Sequence, residues 1–197
     1  MRIICADVEA NGWADTATEI WLFGGIDVNT GEQFEFQPWR GEAEKQKAIE
    51  WAKSVDLWVG HNFISYDGPV LNRLLGPVVD LTRVVDTLII SRTVKSDRYT
   101  PPGCKSGHSL KAHGIRLGIH KGDFDKFDEF STEMREYWLQ DLQVQLALYN
   151  DFKRFIWDKD WKKAFRVEHD IQISLDQQTR YGFDFDIDKA RELLESV

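Results

Sequence analysis

Two carboxylates stand one residue apart near the start of the chain, Asp7 and Glu9 in the stretch IICADVEANGW. Side chains alternate along a strand, so if residues 3–5 begin a strand that continues, both acids leave it on one face. Two anions held that close repel each other unless a cation sits between them. The competing arrangement is a strand that stops at Cys5, with both acids in a solvated turn. Two further acids bear on the choice. Asp67 lies in HNFISYDGPVL, just after the apolar stretch DLWVG and at the start of a helical pattern. Asp141 lies in REYWLQDLQ, early in a long helical pattern, and Tyr137 precedes it by four residues, which places both on one helix face. Four carboxylates offer oxygen ligands only, the kind that hard cations such as Mg2+ take.

These residues need elements to hold them. Residues 2–7 read as a short buried strand. EIWLFGGIDV and EQFEFQ flank the turn signal NTGE, so three consecutive antiparallel strands open the chain. EAEKQKAIEWAKSV is a charged amphipathic helix, DLWVGHN a second short strand with a polar end, and YDGPVLNRLL a helix with Pro69 in its first turn. RVVDTLIISRTV passes from strand or turn into helix. KSDRYTPPGCKSG is a loop, HSLKAHGIRLG a short helix, and IHKGDFDKFDEF irregular and acidic. Ser131 caps a long helix, with Glu133 near its positive end, and Trp138, Leu142, Leu146, Tyr149, Phe152 and Ile156 keep helical spacing. A further helix runs from about Lys159 to Tyr181 and stops at Gly182. FDFDIDKARELLESV then restarts as strand-like residues and a helix from near Asp188. This order predicts an α/β layer, a mixed sheet with helices on its faces. Asp7 falls toward the end of the first strand, where ligand sites of open α/β sheets collect.

Composition narrows the function. At 197 residues and 42% hydrophobic, the chain suits one globular domain, or one domain with an appendage. Its 8 Trp and 12 Phe exclude a disordered chain. Cys5 and Cys104 form neither a disulfide framework nor a zinc pattern. No signal peptide and no membrane-length apolar run are present, so a cytoplasmic protein without membrane partners is expected. A net charge of -8 argues against a broad duplex-binding surface. It leaves room for a small nucleic-acid site in which metal ions supply the positive charge.

Asp7-Val8-Glu9, then HNFISYD with Asp67, then Tyr137-x-x-x-Asp141 resemble the three exonuclease motifs of the DEDD superfamily, tyrosine subclass. The histidine subclass would carry His where this chain has Glu136. DTLIISR after the second motif, GHSLKAHGIRLG followed by KGDF, and QDLQVQLAL through the third are similar to the proofreading domain of family A DNA polymerases, most of all those of phages. The resemblance implies a ribonuclease H-like mixed sheet and a nuclease domain over residues 1–157. It also implies a helical tail, 158–197, like the segment where such enzymes enter the polymerase region. It implies 3′→5′ exonuclease chemistry at single-stranded or frayed DNA ends, with two Mg2+ ions (Mn2+ substituting). In that arrangement Asp7 bridges both ions, Glu9 and Asp141 complete the water-activating site, and Asp67 holds the second ion through waters. Tyr137, whose ordinary pKa is too high for a base at neutral pH, orients the attacking water. A polymerase region in cis or as a separate subunit is the implied partner.

Other positions stay open at this level. Trp13 either wedges against the terminal bases, where relatives place an apolar side chain, or packs in the core. Asn62 either bonds the terminal nucleotide or caps a turn, and Phe124 is a candidate for lining the strand path. Lys105 and Lys121 either touch phosphates or are solvated. Ser65 stands where some relatives carry Lys, which puts a phosphate contact there in doubt. His61, His108 and His113 lack a metal-ligand pattern and read as structural or surface residues. Two alternatives stand beside proofreading: an RNA-processing exonuclease of the same superfamily, and a non-catalytic module that docks a polymerase or a DNA end.

Overall fold

β1 (Ile3–Ala10) organises the chain, and the computed structural model describes residues 1–119 and 122–196 around it. Lys121 therefore lies outside the described residues. The even residues Ile4, Ala6, Val8 and Ala10 enter one core cluster. The odd residues Ile3 and Cys5 pack the opposite way, against Val59 and Tyr149, and Asp7 and Glu9 continue on that second face. The strand runs three residues past the predicted end at residue 7. Asp7 pairs opposite Gly24 and Glu9 opposite Leu22, which removes the arrangement with both acids in a solvated turn. Burial of Val8 and Ala10 on the even face carries the period-two pattern through the acidic positions.

The five-stranded mixed sheet has the order β3-β2-β1-β4-β5, so β1 is central. β2 (Ile20–Asp27) and β3 (Gln33–Phe36) run antiparallel to their neighbours, as expected from the NTGE turn. β4 (Leu57–Gly60) and β5 (Val84–Asp86) add on in parallel. Backbones crowd at Gly25, where a Cβ would lie 2.3 Å from the Cys5 carbonyl oxygen. The β1/β2 register slips between Glu9 and Ala10. Such bulges re-aim side chains beside functional sites.

On one face, α1 (Glu42–Lys53) and α2 (Asp67–Leu75) bury Trp51, Val70 and Leu71 against Phe23, Trp58 and Phe63. On the other lie α3 (Thr87–Val94), α4 (Leu110–Leu117) and the long α5 (Thr132–Ile156). The Ser131 hydroxyl caps α5 by accepting from the Met134 amide at 3.0 Å, a contact worth about 1 kcal/mol. α6 (Lys162–Tyr181) starts three residues later than expected, because residues 158–161 form a turn closed by the Trp161 amide on the Asp158 carbonyl. Phe165 of α6 enters the cluster of Leu148 and Phe152, and Ile173 packs on the main core. The segment 183–186 is not a strand: Phe183 and Phe185 are exposed, and among the described residues no strand pairs with them. α7 (Ile187–Glu195) follows, capped by the Asp186 carboxylate and exposed except at the half-buried Ala190. No described helix is long and apolar enough to cross a membrane.

Candidate active site

α5 crosses β1 in the opposite chain direction. Tyr149 lies over Cys5, Gln145 donates from Nε2 to Asp7 Oδ1 at 2.6 Å, and the Trp138 indole donates to the Asp7 carbonyl at 3.1 Å. This crossing brings Asp141 down onto the acidic end of β1. Carboxylate oxygens of Asp7, Glu9 and Asp141 all lie within 4.8 Å of one another. Glu9 is 7% and Asp141 4% exposed, and Asp7 is half-buried. Tyr137 sits one turn before Asp141 and hydrogen-bonds to its carboxylate. Burial, then the charges of Asp141, Glu9 and Asp7, push its phenol far above the ordinary tyrosine range. The hydroxyl is therefore a donor and never a base near neutral pH.

Asp67 opens α2 just outside this three-carboxylate group. β4 pairs with β1 only as far as Cys5, so the Val8 amide on that edge is left for Asp67 Oδ1, which accepts it at 2.9 Å. Burial, then the Asp7 charge, raises the Asp67 carboxyl well above the usual range. Every charged neighbour that shifts Tyr66 or Tyr137 is likewise an acid. A buried set of oxygen donors with mutual repulsion fits a hard divalent cation, whose charge would offset that repulsion.

Trp13 is 80% exposed, so it does not pack in the core. It rims a cleft beside Glu9, lined also by Gly12, Tyr66 and Phe127. The Tyr66 hydroxyl donates to the Gly12 carbonyl at 2.9 Å and braces that loop. Asn62 is exposed in a left-handed conformation, with φ 64°; its amide donates to Asp86 and its carbonyl accepts from the Tyr66 amide. Phe124 packs on Tyr137 and Phe127, with ring centroids 5.7 and 5.1 Å away, and so backs the tyrosine. Lys105 is exposed. Among the histidines, His61 pairs with Thr87, while His108 and His113 share the Ser91 hydroxyl.

Four supporting residues escaped the sequence reading. Gln145 and Trp138 hold Asp7, and Tyr66 lines the cleft. Asp86 accepts the amides of Asn62, Ile64 and Leu88, which fixes the loop leading to Asp67. Only Gln145 left a signal, because it continues the Tyr137–Asp141 helical stripe by four residues. The loop is also tied to α6. The Asp86 amide donates to His169 Nε2 at 2.9 Å, and the Ser65 hydroxyl donates to Asp176 at 2.7 Å.

The RNase_H_2 profile, of the RNase H superfamily, matches residues 4–151, which contain all four acids and Tyr137. Among solved structures, NrnC of Brucella melitensis with bound Mg2+ aligns at TM-score 0.67 and 16% identity, over 95% of this chain and 90% of that one. NrnC bound to pGG aligns at 0.63 and 16%, over 95% and 89%. The family B DNA polymerase of the archaeon Pyrobaculum calidifontis aligns at 0.55 and 14%, over 79% of this chain and 25% of the polymerase. At these identities the likeness concerns the fold. No curated protein matches the chain by sequence.

Proposed function

This chain belongs to the RNase H superfamily, and from that premise we propose that it is a 3′→5′ exonuclease of the tyrosine DEDD type, acting on single-stranded nucleic-acid ends. The observation that carries the proposal is the clustering of Asp7, Glu9 and Asp141 within 4.8 Å, with Tyr137 bonded to the last of them. Asp7, Glu9, Asp141 and Asp67 would hold two divalent ions, Mg2+ or Mn2+. When bound, such ions lower the pKa of a water and stabilise the departing oxygen. The protein's own residues do the rest. Tyr137 keeps its proton, which it donates to Asp141, and its hydroxyl oxygen is left to accept from the attacking water and so orient it. Trp13 and Tyr66 offer ring faces on which terminal bases stack, and Asn62 is exposed at the start of the loop that carries Tyr66. Phe124 restrains the Tyr137 ring.

Short single-stranded RNA is the substrate we place first, ahead of a DNA end at a polymerase. Likeness to NrnC, including its pGG complex, extends over nearly the whole of both chains. Likeness to the polymerase covers a quarter of that protein, and the tie to family A polymerases rests on sequence motifs alone. We keep residues 1–157 as the nuclease body and give α6 a supporting role, through its bonds to the loop before Asp67. Proofreading is the second reading, favoured by those motifs. Matched 5′-labelled RNA and DNA oligonucleotides separate the two. Stepwise shortening of RNA in Mg2+, stopped by EDTA, is expected; faster shortening of DNA restores the proofreading reading, and no shortening of either strand rejects the nuclease.

A further inference from the structure

We propose that Gln145 is the positioning residue for Asp7, its amide holding the carboxylate in the orientation that accepts metal. This deepens the reading of the site as a divalent-metal nuclease centre and rests on it. Gln145 is 1% exposed, and its Nε2 lies 2.6 Å from Asp7 Oδ1. The amide can face only this way, since Oε1 in that position would set an uncharged acceptor against a carboxylate. The bond formed is short and charge-assisted.

Oε1 of the same amide is buried without a hydrogen-bond partner among the described residues. A buried acceptor left unmade costs desolvation with nothing in return, so an apolar side chain of the same size would pack there at lower cost. Packing therefore does not account for a glutamine at 145, whereas the bond from Nε2 to Asp7 does.

Asp7 needs such a restraint. Its backbone is held by pairing with β2 on one side and by the Trp138 indole on its carbonyl. Glu9 and Asp141 both repel the charge at the end of its side chain. The Gln145 amide opposes the swing that this repulsion drives in the metal-free protein. Tyr137, Asp141 and Gln145 fall at i, i+4 and i+8 of α5, so one rigid helix carries the water-orienting hydroxyl, a ligand and the holder of a second ligand.

The test uses Gln145→Met, near in size but apolar, and Gln145→Asn, which keeps the amide but is one methylene too short to reach. Three quantities are read on the whole chain: Mn2+ affinity without substrate by paramagnetic resonance, the Mg2+ concentration for half-maximal hydrolysis, and the melting temperature in EDTA. Both variants should melt in EDTA within a few degrees of wild type. Each should bind Mn2+ about 10- to 100-fold more weakly, with the Mg2+ requirement raised in step, as when support of a metal ligand is removed. Variants that bind Mn2+ as tightly as wild type overturn the role of Gln145 alone. A wild-type protein that binds no Mn2+ overturns the metal-centre reading and this proposal with it.

Discussion

Asp141→Asn should make the metal-free protein more stable while removing its activity. Carboxylate oxygens of Asp7, Glu9 and Asp141 lie within 4.8 Å of one another, and at that spacing two unit charges repel by about 3.5 kcal/mol at an effective dielectric of about 20. Protonation caps the penalty: a buried carboxylate that would cost more than about 4 kcal/mol takes up a proton at neutral pH instead. Asparagine has the shape of aspartate, and its Oδ1 still accepts from Tyr137. Part of the repulsion is already offset by the Gln145 amide on Asp7. The expected gain in EDTA at pH 7.5 is therefore about 1–3 kcal/mol, or roughly 2–12 °C in Tm for a chain of this size. Mg2+ at a hundredfold excess over its Kd adds about 2.7 kcal/mol to wild type, and the variant should gain little of it. Hydrolysis should fall at least about 1000-fold, a loss of about 4 kcal/mol in the transition state. The pH dependence follows from Asp67, whose carboxyl is raised by burial and by the Asp7 charge. A raised acid contributes stability below its unfolded pKa and loses it as pH rises through the folded one, so the metal-free protein should gain stability from this group on acidification. Urea unfolding and calorimetry, with EDTA and with Mg2+, read all of this. A variant less stable than wild type in EDTA, or one stabilised equally by Mg2+, would falsify the account of Asp141 as a repelled ligand.

Tyr137→Phe keeps the ring against Phe124 and loses only the hydroxyl, so single-turnover rates should drop about 10- to 1000-fold, or about 1.4–4 kcal/mol, with the fold intact; an unchanged rate removes the tyrosine from the chemistry. Trp13→Ala should weaken binding of a single-stranded end by about 1–3 kcal/mol and leave melting unaltered, since the ring is exposed. Equal affinity in a fluorescence titration would show that no base stacks there. His113 is pushed from its ordinary value of 6.5 down to about 3, by burial first and then by Arg98 and Arg116. Its neutral form belongs to the fold, so its contribution is complete above pH 6.5 and is lost as pH falls toward 3, at no more than about 1.4 kcal/mol per pH unit. Urea titrations of wild type and His113→Gln at pH 7, 5.5 and 4.5 should diverge on acidification, and parallel curves would contradict this.

Much of the site was legible because its logic is local. A period of two put Asp7 and Glu9 on one strand face, and a period near four put Tyr137 and Asp141 on one helix face, since both follow from backbone geometry alone. Ser131 announced the start of α5 through cap chemistry, and NTGE the β2–β3 turn. Strand length was less legible: with Asp7 and Glu9 interrupting the apolar run, only the burial of Val8 and Ala10 on the other face shows that β1 continues to Ala10. FDFD has strand-like residues but no partner strand among the described residues, and ladder bonds need a neighbour that local sequence cannot supply. Exposure of Trp13 and placement of Phe124 against Tyr137 also depend on which surfaces approach one another. The same holds for the ties of His169 to Asp86 and Ser65 to Asp176, which join residues 83 and 111 positions apart. Periodicity specifies which face of an element is apolar or charged; which faces meet is set by the packing of distant segments. That packing, the crossing of α5 over the middle of β1, turned two separate acidic patterns into one cluster.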